Sequence, residues 1–390
     1  MPTNVSPEYK KAQEQYRRAR EPQDRLRLLK EMLSTIPKHK GTEHVQADIK
    51  SKIKELTGEL AGPRKGGART GPVQVIKPEG AAQIAMLGPP NAGKSSLHRA
   101  LTGSRAEVGP YPFTTQAPLP GMLFHQDVPF QLVDLPPISA DFMEPWLPNA
   151  LQPAHAALLT VDLHEPGCVE HVMAIRQRLD EKRIGISDDW GGRLAAGMAA
   201  AVLAPRVAPA GADDAGVAAA RTAGPTTAED GGVVGEPEVE AGGAAGSADD
   251  EDELEDPFRI TLPTLLVVTK ADLGVDPEEV AVLLELTGTR FPAVAVSAES
   301  DTGLDRLGYL LMRGLAVVRA YTKVPGKPAD RDRPYTLFAG DTVEDLALQI
   351  HRELAGSFQF ARVWGSAKFD GQQVGRDHVL RDGDVVEIHA

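Results

Sequence analysis

An octapeptide, Gly88-Pro-Pro-Asn-Ala-Gly93-Lys94-Ser95, spells GxxxxGKS and constrains the fold more than any other part of the chain. The apolar run Gln83–Leu87 before it predicts a buried strand, and Ser95–Thr102 predicts a helix. Glycines at both ends let backbone N–H groups close around a phosphate, and the helix N-terminus adds positive potential. The arrangement therefore predicts a phosphate-binding loop in an α/β fold with a mostly parallel sheet.

The residue types in this loop indicate their roles. Lys94 is expected to reach the β- and γ-phosphates, and the Ser95 hydroxyl is expected to bind Mg²⁺. A glycine-rich turn that binds nothing is the alternative, and the strand and helix on either side disfavour it. The residues predicted to contact the nucleotide here are Gly88, Asn91, Ala92, Gly93, Lys94, Ser95 and Ser96.

An acid follows a second apolar run. Phe130–Asp134 predicts a strand that ends in Asp134, and Leu-Pro-Pro137 comes next. A carboxylate at this place holds Mg²⁺, usually through water. Ligands bind at the carboxyl ends of the strands in open α/β sheets, so Asp134 is expected near Ser95.

Two further motifs indicate which base is bound. Leu262–Thr269 predicts a strand, and Lys270-Ala-Asp272 follows it. The Asp272 carboxylate can accept hydrogen bonds from the N1–H and N2–H₂ groups of guanine, an edge that adenine lacks, and the Lys270 stem can cover the base. After the predicted strand Phe291–Val296, the backbone of Ser297 and Ala298 can meet guanine O6. Each motif is weak alone, but their order and spacing together predict guanine specificity.

A threonine loop, Tyr111-Pro-Phe-Thr-Thr115, lies between the first and second motifs. Thr115 can bind Mg²⁺ only while the γ-phosphate is present, so such a loop orders with triphosphate and relaxes after hydrolysis. An ordinary proline-rich turn is the alternative, and the surrounding motifs favour the switch.

These motifs resemble those of the Obg-related GTPases, most closely the developmentally regulated GTP-binding (DRG) branch. Ile36–His44 also matches, and Val363–Gly365, Val374–His378 and Asp382–Ile388 look like a TGS domain, a small β-grasp module. The resemblance implies a cytoplasmic GTPase that binds GTP or GDP with Mg²⁺ and works with ribosomes, rRNA or tRNA. It also implies that the TGS domain is a binding module with a possible protein effector.

Three departures mark the chain as a divergent member. Pro137 stands where the family has glycine, so this position has no N–H for the γ-phosphate. Thr269 replaces the usual asparagine, which removes an amide expected to buttress the loop. Asp141–Trp146 replaces a glycine-rich stretch.

The resemblance also bears on catalysis. Ile138 occupies the position of the water-orienting glutamine, so hydrolysis is expected to be slow. Asn91 matches an asparagine that helps hold K⁺ beside the phosphates in some relatives. Lys94, Thr115 and Asn91 are therefore the expected catalytic residues.

Charge is distributed unevenly along the 390 residues. Residues 1–70 hold 16 Lys and Arg against 9 Asp and Glu, a net charge of +7, whereas residues 211–256 hold 14 acids against one arginine, a net charge of −13. The whole chain also carries −13, so the chain without residues 211–256 is close to neutral. Its single cysteine, Cys168, excludes an internal disulfide framework. With neither an apolar signal core nor an apolar run long enough to span a bilayer, the sequence predicts no membrane association.

The composition divides the chain into three parts. Residues 1–70 predict a basic helical hairpin with a flexible linker. The hairpin either contacts RNA phosphates or packs on the GTPase domain with its charged face in solvent. Residues 73–322 predict the GTPase domain, interrupted at 208–256 by an acidic, Ala- and Gly-rich insertion that is expected to be disordered. Residues 330–390 predict the TGS domain.

Two functions remain open on this sequence. One is a slow switch GTPase whose output is binding to ribosomes or RNA. The other is a non-cycling adaptor that binds guanine nucleotide for stability and works through its TGS domain and N-terminal hairpin. A P-loop ATPase or kinase is disfavoured by Asp272.

Overall fold

The structure, a computed structural model, describes residues 6–19, 22–37, 42–60, 75–103, 117–194, 256 and 258–390. Several predicted features lie outside these residues. They are the threonine loop with Thr115, the linker 62–71 and the acidic insertion apart from Asp256. In the part of the chain that is described, no helix combines the length and apolarity needed to cross a bilayer.

The described residues of the N-terminal unit form three helices, one more than the predicted hairpin. They are α1 (Pro7–Arg18), α2 (Pro22–Thr35) and α3 (Glu43–Leu60). Ser6 caps α1 by accepting from the Tyr9 amide, and its hydroxyl donates to the carbonyl of Thr35 at the end of α2. At the other junction, Thr42 Oγ1 donates to Pro37 O at 2.6 Å. The predicted hairpin therefore corresponds to α2 and α3, and α1 adds a third arm.

A small apolar core holds this unit together. The exposed fractions of its members are at most a few per cent because each helix turns one apolar stripe inward. These members include Tyr9, Leu28, Leu29, Met32 and Ile49. The lysines of α3 point elsewhere: Lys50 and Lys54 are exposed, and Lys52 is half-buried.

The central domain is built on a mostly parallel sheet, as the sequence predicts. Its strands are β1 (Ala82–Leu87), β2 (Leu119–His125), β3 (Val128–Asp134), β4 (Ala156–Val161), β5 (Ile184–Ser187), β6 (Ile260–Val268) and β7 (Ala293–Ala295). The strand order is β2-β3-β1-β4-β6, and β5 and β7 both pair with β6. Only β2 runs antiparallel to its neighbour among these pairings. The carboxyl ends of β1, β3, β4, β6 and β7 therefore meet at one edge.

Helices cover both faces of this sheet. They are α4 (Lys94–Thr102), α5 (Leu147–Leu151), α6 (Cys168–Asp180), α7 (Pro277–Leu286) and α8 (Leu304–Gly314). Alternate residues of β1 enter the two cores: Ala85 and Leu87 pack with α5, α6 and α7, whereas Ile84 and Met86 pack with α4 and α8. Burial on both faces explains why the parallel strands read as continuous apolar runs in the sequence.

The C-terminal domain is a five-stranded sheet with the order β11-β10-β12-β8-β9. Its strands are β8 (Val317–Lys323), β9 (Ala329–Phe338), β10 (Phe360–Trp364), β11 (Gln372–Val374) and β12 (Asp384–His389), and its helices are α9 (Val343–Ile350) and α10 (Arg352–Ser357). Thr342 caps α9 in a capping box with Asp345.

The boundary between these domains differs from the prediction. The sequence assigned residues up to 322 to the central domain, but β8 hydrogen-bonds with β12 and β9 and thus belongs to the C-terminal sheet. The Pro-Gly pair at 325–326 makes the turn between β8 and β9, where Lys327 N donates to Val324 O. Val318 and Ala320 accordingly pack in the C-terminal core.

One helix glycine generates a stability prediction. A Cβ atom on Gly314, at the end of α8, would lie 2.5 Å from the ring of the buried Trp190. Gly314→Ala should therefore destabilise the protein by about 1–3 kcal/mol through overpacking. Gly356→Ala in α10 is the matched control, because its Cβ would meet nothing within 4 Å. Urea unfolding should show a lower midpoint for Gly314→Ala alone; equal midpoints would contradict the packing described.

Candidate functional site

The phosphate-binding loop starts with a close contact between Gly88 and Thr160. A Cβ atom on Gly88 would lie 2.4 Å from Thr160 Oγ1 and 2.5 Å from Thr160 O, distances that no side chain tolerates. The loop then turns through left-handed backbone at Asn91, with φ 59°, and Gly93, with φ 78°. Gly93 precedes α4, so the N-terminus of that helix faces the loop. This is the geometry in which backbone N–H groups surround a phosphate.

Lys94 lies folded under the loop. Its side chain is buried, and Nζ donates to Pro89 O at 2.9 Å and Gly88 O at 3.2 Å. Burial lowers the pKa of Lys94 to about 8, and the nearby Asp134 carboxylate opposes this shift. A phosphate beside the ammonium group would favour its charged form, because an opposite charge stabilises it.

Ser95 and Asp134 are in direct contact, as predicted from their positions after β1 and β3. Ser95 Oγ donates to Asp134 Oδ2 at 2.6 Å, and Asp134 is fully buried. A hydroxyl and a carboxylate held together supply the oxygen ligands that Mg²⁺ prefers. The two residues therefore fit a magnesium site, and Ser96 follows half-buried in α4.

The segment after Asp134 is fastened to the phosphate-binding loop. Residues 135–138 are all buried, and Ile138 packs in the core beside α5 and α6. The Ile138 N–H donates to Gly88 O at 3.1 Å. Pro137 has no N–H, and the next amide along the chain is already used, so this segment offers a γ-phosphate neither donor in the conformation observed.

Thr269 links the base motif to the phosphate-binding loop. Its Oγ1 lies 2.9 Å from Ala92 O and 3.0 Å from Val161 O, so the hydroxyl proton bonds to the loop or to β4. The replacement of asparagine by threonine at this position predicts the loss of the buttress. That expectation is wrong for this chain, because the shorter side chain still reaches the carbonyl of Ala92.

Asp272 and Ser297 lie side by side where the base is predicted to bind. Asp272 is on a short 3₁₀ turn, Ala271–Leu273, and one of its carboxylate oxygens accepts a hydrogen bond from Ser297 Oγ. Ser297 Oγ also accepts from the amides of Glu299 and Ser300, which orders the loop. Asp272 is exposed and Ala298 is half-buried, so a ligand can reach both.

Lys270 makes a contact that the sequence analysis missed. It adopts left-handed backbone with φ 56°, and its Nζ lies 2.6 Å from Asp162 Oδ2. Burial by itself raises the pKa of Asp162, but hydrogen bonds from Lys270 and His164 lower it overall. An acid directly after the apolar run Ala156–Val161 is the same signal that identified Asp134, so it could have been found.

The predicted site residues in the described chain thus converge on the carboxyl edge of one sheet. The phosphate-binding loop follows β1, Asp134 ends β3, Thr269 and Lys270 follow β6, and Ser297 lies just beyond β7. Thr115 lies outside the described residues. Thr160 and Asp162 are the site residues that sequence reasoning did not identify.

Comparison with known proteins agrees with this geometry. Residues 83–186 match the family described as 50S ribosome-binding GTPase, and residues 318–390 match the TGS domain. An uncharacterised GTP-binding protein of Methanocaldococcus jannaschii is 29% identical, over 94% of this chain and 92% of the relative.

Two eukaryotic relatives also align along nearly the whole chain. Developmentally-regulated G-protein 3 of Arabidopsis thaliana is 27% identical, over 93% of this chain and 97% of its own length. Developmentally-regulated GTP-binding protein 1 of Xenopus laevis is 26% identical, over 93% and 98%. The chain therefore carries a GTPase segment followed by a TGS domain, and along nearly its whole length it is similar to GTP-binding proteins of the DRG type.

Proposed function

We propose that this protein is a slow, Mg²⁺-dependent GTPase that acts as a switch on ribosomes or RNA in the cytoplasm. The observation that carries the proposal is the convergence of three groups on one sheet edge. These are the buried Lys94 under the phosphate-binding loop, the Ser95–Asp134 pair, and the exposed Asp272 beside Ser297. They suit a triphosphate, a magnesium ion and a guanine base in that order.

Each residue has a defined task in this proposal. The backbone of residues 88–95 binds the phosphates, and Lys94 neutralises charge that develops on them. Ser95 and Asp134 would hold Mg²⁺, with Thr115 as a further ligand; the ion supplies positive charge at the β- and γ-phosphates. Asp272 orients guanine through its N–H edge, with the backbone of Ser297 and Ala298 at O6.

Hydrolysis is proposed to be slow because the chain places no polar group at the usual water-orienting position. Ile138 stands there, and its side chain is buried in the core. Asn91 is exposed on the loop, where its amide oxygen could help hold K⁺ beside the phosphates. We propose that this ion provides charge that an arginine supplies in other GTPases.

A ribosomal or RNA partner is supported by two features. One of the matched families is described as ribosome-binding, and the N-terminal 70 residues carry a net charge of +7. Positive helices favour nucleic-acid phosphates through release of counterions. The TGS domain adds a second surface that suits RNA or a protein effector.

A second function, a non-cycling adaptor, is favoured by one observation. Pro137 has no backbone N–H and the Ile138 N–H donates to Gly88 O, so neither residue offers a donor to a γ-phosphate in this conformation. An adaptor would bind its partner equally with GDP or GTP. A cycling switch would bind its partner in one state more tightly than in the other.

Two assays distinguish these functions. GTP turnover is measured with and without purified ribosomal subunits, and co-sedimentation with subunits is measured with GDP and with a non-hydrolysable GTP analogue. A switch gives turnover and nucleotide-dependent sedimentation. Sedimentation that is equal in both nucleotides, without turnover, selects the adaptor; no sedimentation at all rejects the proposed partner.

Base specificity should depend on Asp272. Asp272→Asn should weaken GTP binding by about 1–3 kcal/mol, because a base-edge pairing is lost, and should admit xanthosine triphosphate. Exchanging the carboxylate for an amide reverses the hydrogen-bonding pattern that each base must match. Titration with both nucleotides measures the change, with Asp276→Asn, at the cap of α7, as the control. An unchanged preference for GTP would refute the assignment.

Turnover should depend on the monovalent ion through Asn91. We expect faster hydrolysis in K⁺ than in Na⁺ for the wild type and equal, slow rates for Asn91→Ala, because the ligand for the ion is lost. Lys94→Ala should be inactive in both salts and sets the background. Equal wild-type rates in the two salts would contradict the potassium site.

RNA association should depend on the lysines of α3. Reversing Lys50, Lys52 and Lys54 to Glu should weaken co-sedimentation and reduce the slope of log affinity against log salt by about 2, since each lost phosphate contact contributes about 0.7–0.9. GTP affinity should not change.

The control for this experiment reverses Lys10, Lys11 and Lys30, three exposed lysines on α1 and α2. It makes the same change in net charge on other helices. If both triple variants lose the same affinity, the contact depends on overall charge and not on α3.

A further inference from the structure

We propose that Asp162 is a positioning residue that holds the Lys270 side chain in place for the guanine base. This inference rests on the proposed function, because it assigns a role within the same nucleotide site. Asp162 does not itself contact the base in this account; it acts through Lys270.

The contacts around Asp162 are specific. One oxygen, Oδ2, lies 2.6 Å from Lys270 Nζ, and the other, Oδ1, accepts from the backbone N–H of His164 at 3.0 Å. Asp162 is only 4% exposed, whereas the Lys270 side chain is 42% exposed. The carboxylate is therefore fixed within the protein, and the lysine that it holds remains open to a ligand.

The order of the strands gives the lysine stem its direction. Strand β4 lies between β6 and β1, and Val161 pairs with Val268, so Asp162 and Thr269 emerge next to each other. The stem of Lys270 thus runs from β6 across to the end of β4, toward the phosphate-binding loop after β1. Asp272 and Ser297 lie at the other end of this line. A nucleotide with its base at Asp272 and its phosphates at the loop follows the same line, so the stem lies along it.

Fixing the stem in advance reduces the cost of binding. A free lysine side chain loses rotamer entropy when it is immobilised. An ion pair with a buried carboxylate removes much of this freedom before the nucleotide arrives, which is preorganisation. The low exposure of Asp162 protects the pair from the screening that weakens salt bridges on the surface.

The test is a double-mutant cycle on nucleotide affinity. Asp162→Asn, Lys270→Ala and the double variant are titrated with GTP and with inosine triphosphate, which lacks the N2 amino group. We expect Asp162→Asn to weaken both nucleotides by about tenfold and by the same factor, since the stem touches the face of the base and not its edge. In the Lys270→Ala background, Asp162→Asn should have no further effect.

Further readouts separate positioning from a structural role. Asp162→Glu keeps the charge and should recover most of the affinity, and turnover at saturating GTP should match the wild type in every Asp162 variant. Glu165→Gln, an exposed acid in the same loop, is the control for the change in charge and should bind normally. A lower melting temperature with unchanged GTP affinity would mean that Asp162 only stabilises the fold.

The remaining outcomes distinguish failure of the Asp162 inference from failure of the proposed function. An equal loss of affinity from Asp162→Asn with and without Lys270 would overturn the positioning role. If the wild type binds GTP in an Asp272-dependent manner but Asp162→Asn is silent, this inference alone fails. If the wild type binds no guanine nucleotide, the proposed function fails and takes the inference with it.

Discussion

The close approach of Gly88 to the backbone of Thr160 is the contact on which the nucleotide site depends. Because position 88 has no side chain, the loop after β1 can lie against β4. The Gly88 carbonyl then accepts hydrogen bonds from Lys94 Nζ and from the Ile138 N–H. That carbonyl therefore joins the phosphate-binding loop, its lysine and the segment after β3. A larger residue here would displace all three at once.

The same arrangement determines how the site can respond to a γ-phosphate. Lys94 and the Ser95–Asp134 pair lie at the loop, where phosphates and a metal ion would enter. The segment from Leu135 to Ile138 differs, because it is buried and bonded before any ligand arrives. A response to the γ-phosphate would have to break the Ile138 bond or come from the threonine loop. The ready phosphate and metal ligands favour a switch, whereas the bonded segment Leu135–Ile138 favours an adaptor.

Much of the fold could be predicted because the relevant signals are local. Continuous apolar runs identified β1, β3 and β6. The domain boundary was missed because a Pro-Gly pair marks a linker and a tight turn equally well; only strand pairing distinguishes them. In the site, the Thr269 hydroxyl replaced an amide that family patterns require, and Asp162 was overlooked although it follows a buried strand as Asp134 does. The Thr269 contact depends on a distance between strands, which one sequence does not contain, whereas the position of Asp162 was readable from the sequence.

The most direct test of the account is a calorimetric titration of the full chain with GTP, GDP and ATP in the presence of Mg²⁺. The account predicts saturable binding of GTP and GDP at one site, with ATP failing to bind or to compete, because Asp272 and Ser297 offer adenine no matching edge. Lys94→Ala should lose most of the affinity for GTP. Binding of ATP as tightly as GTP, or GTP binding that survives Lys94→Ala, would contradict the central claim that this sheet edge is a guanine-nucleotide site.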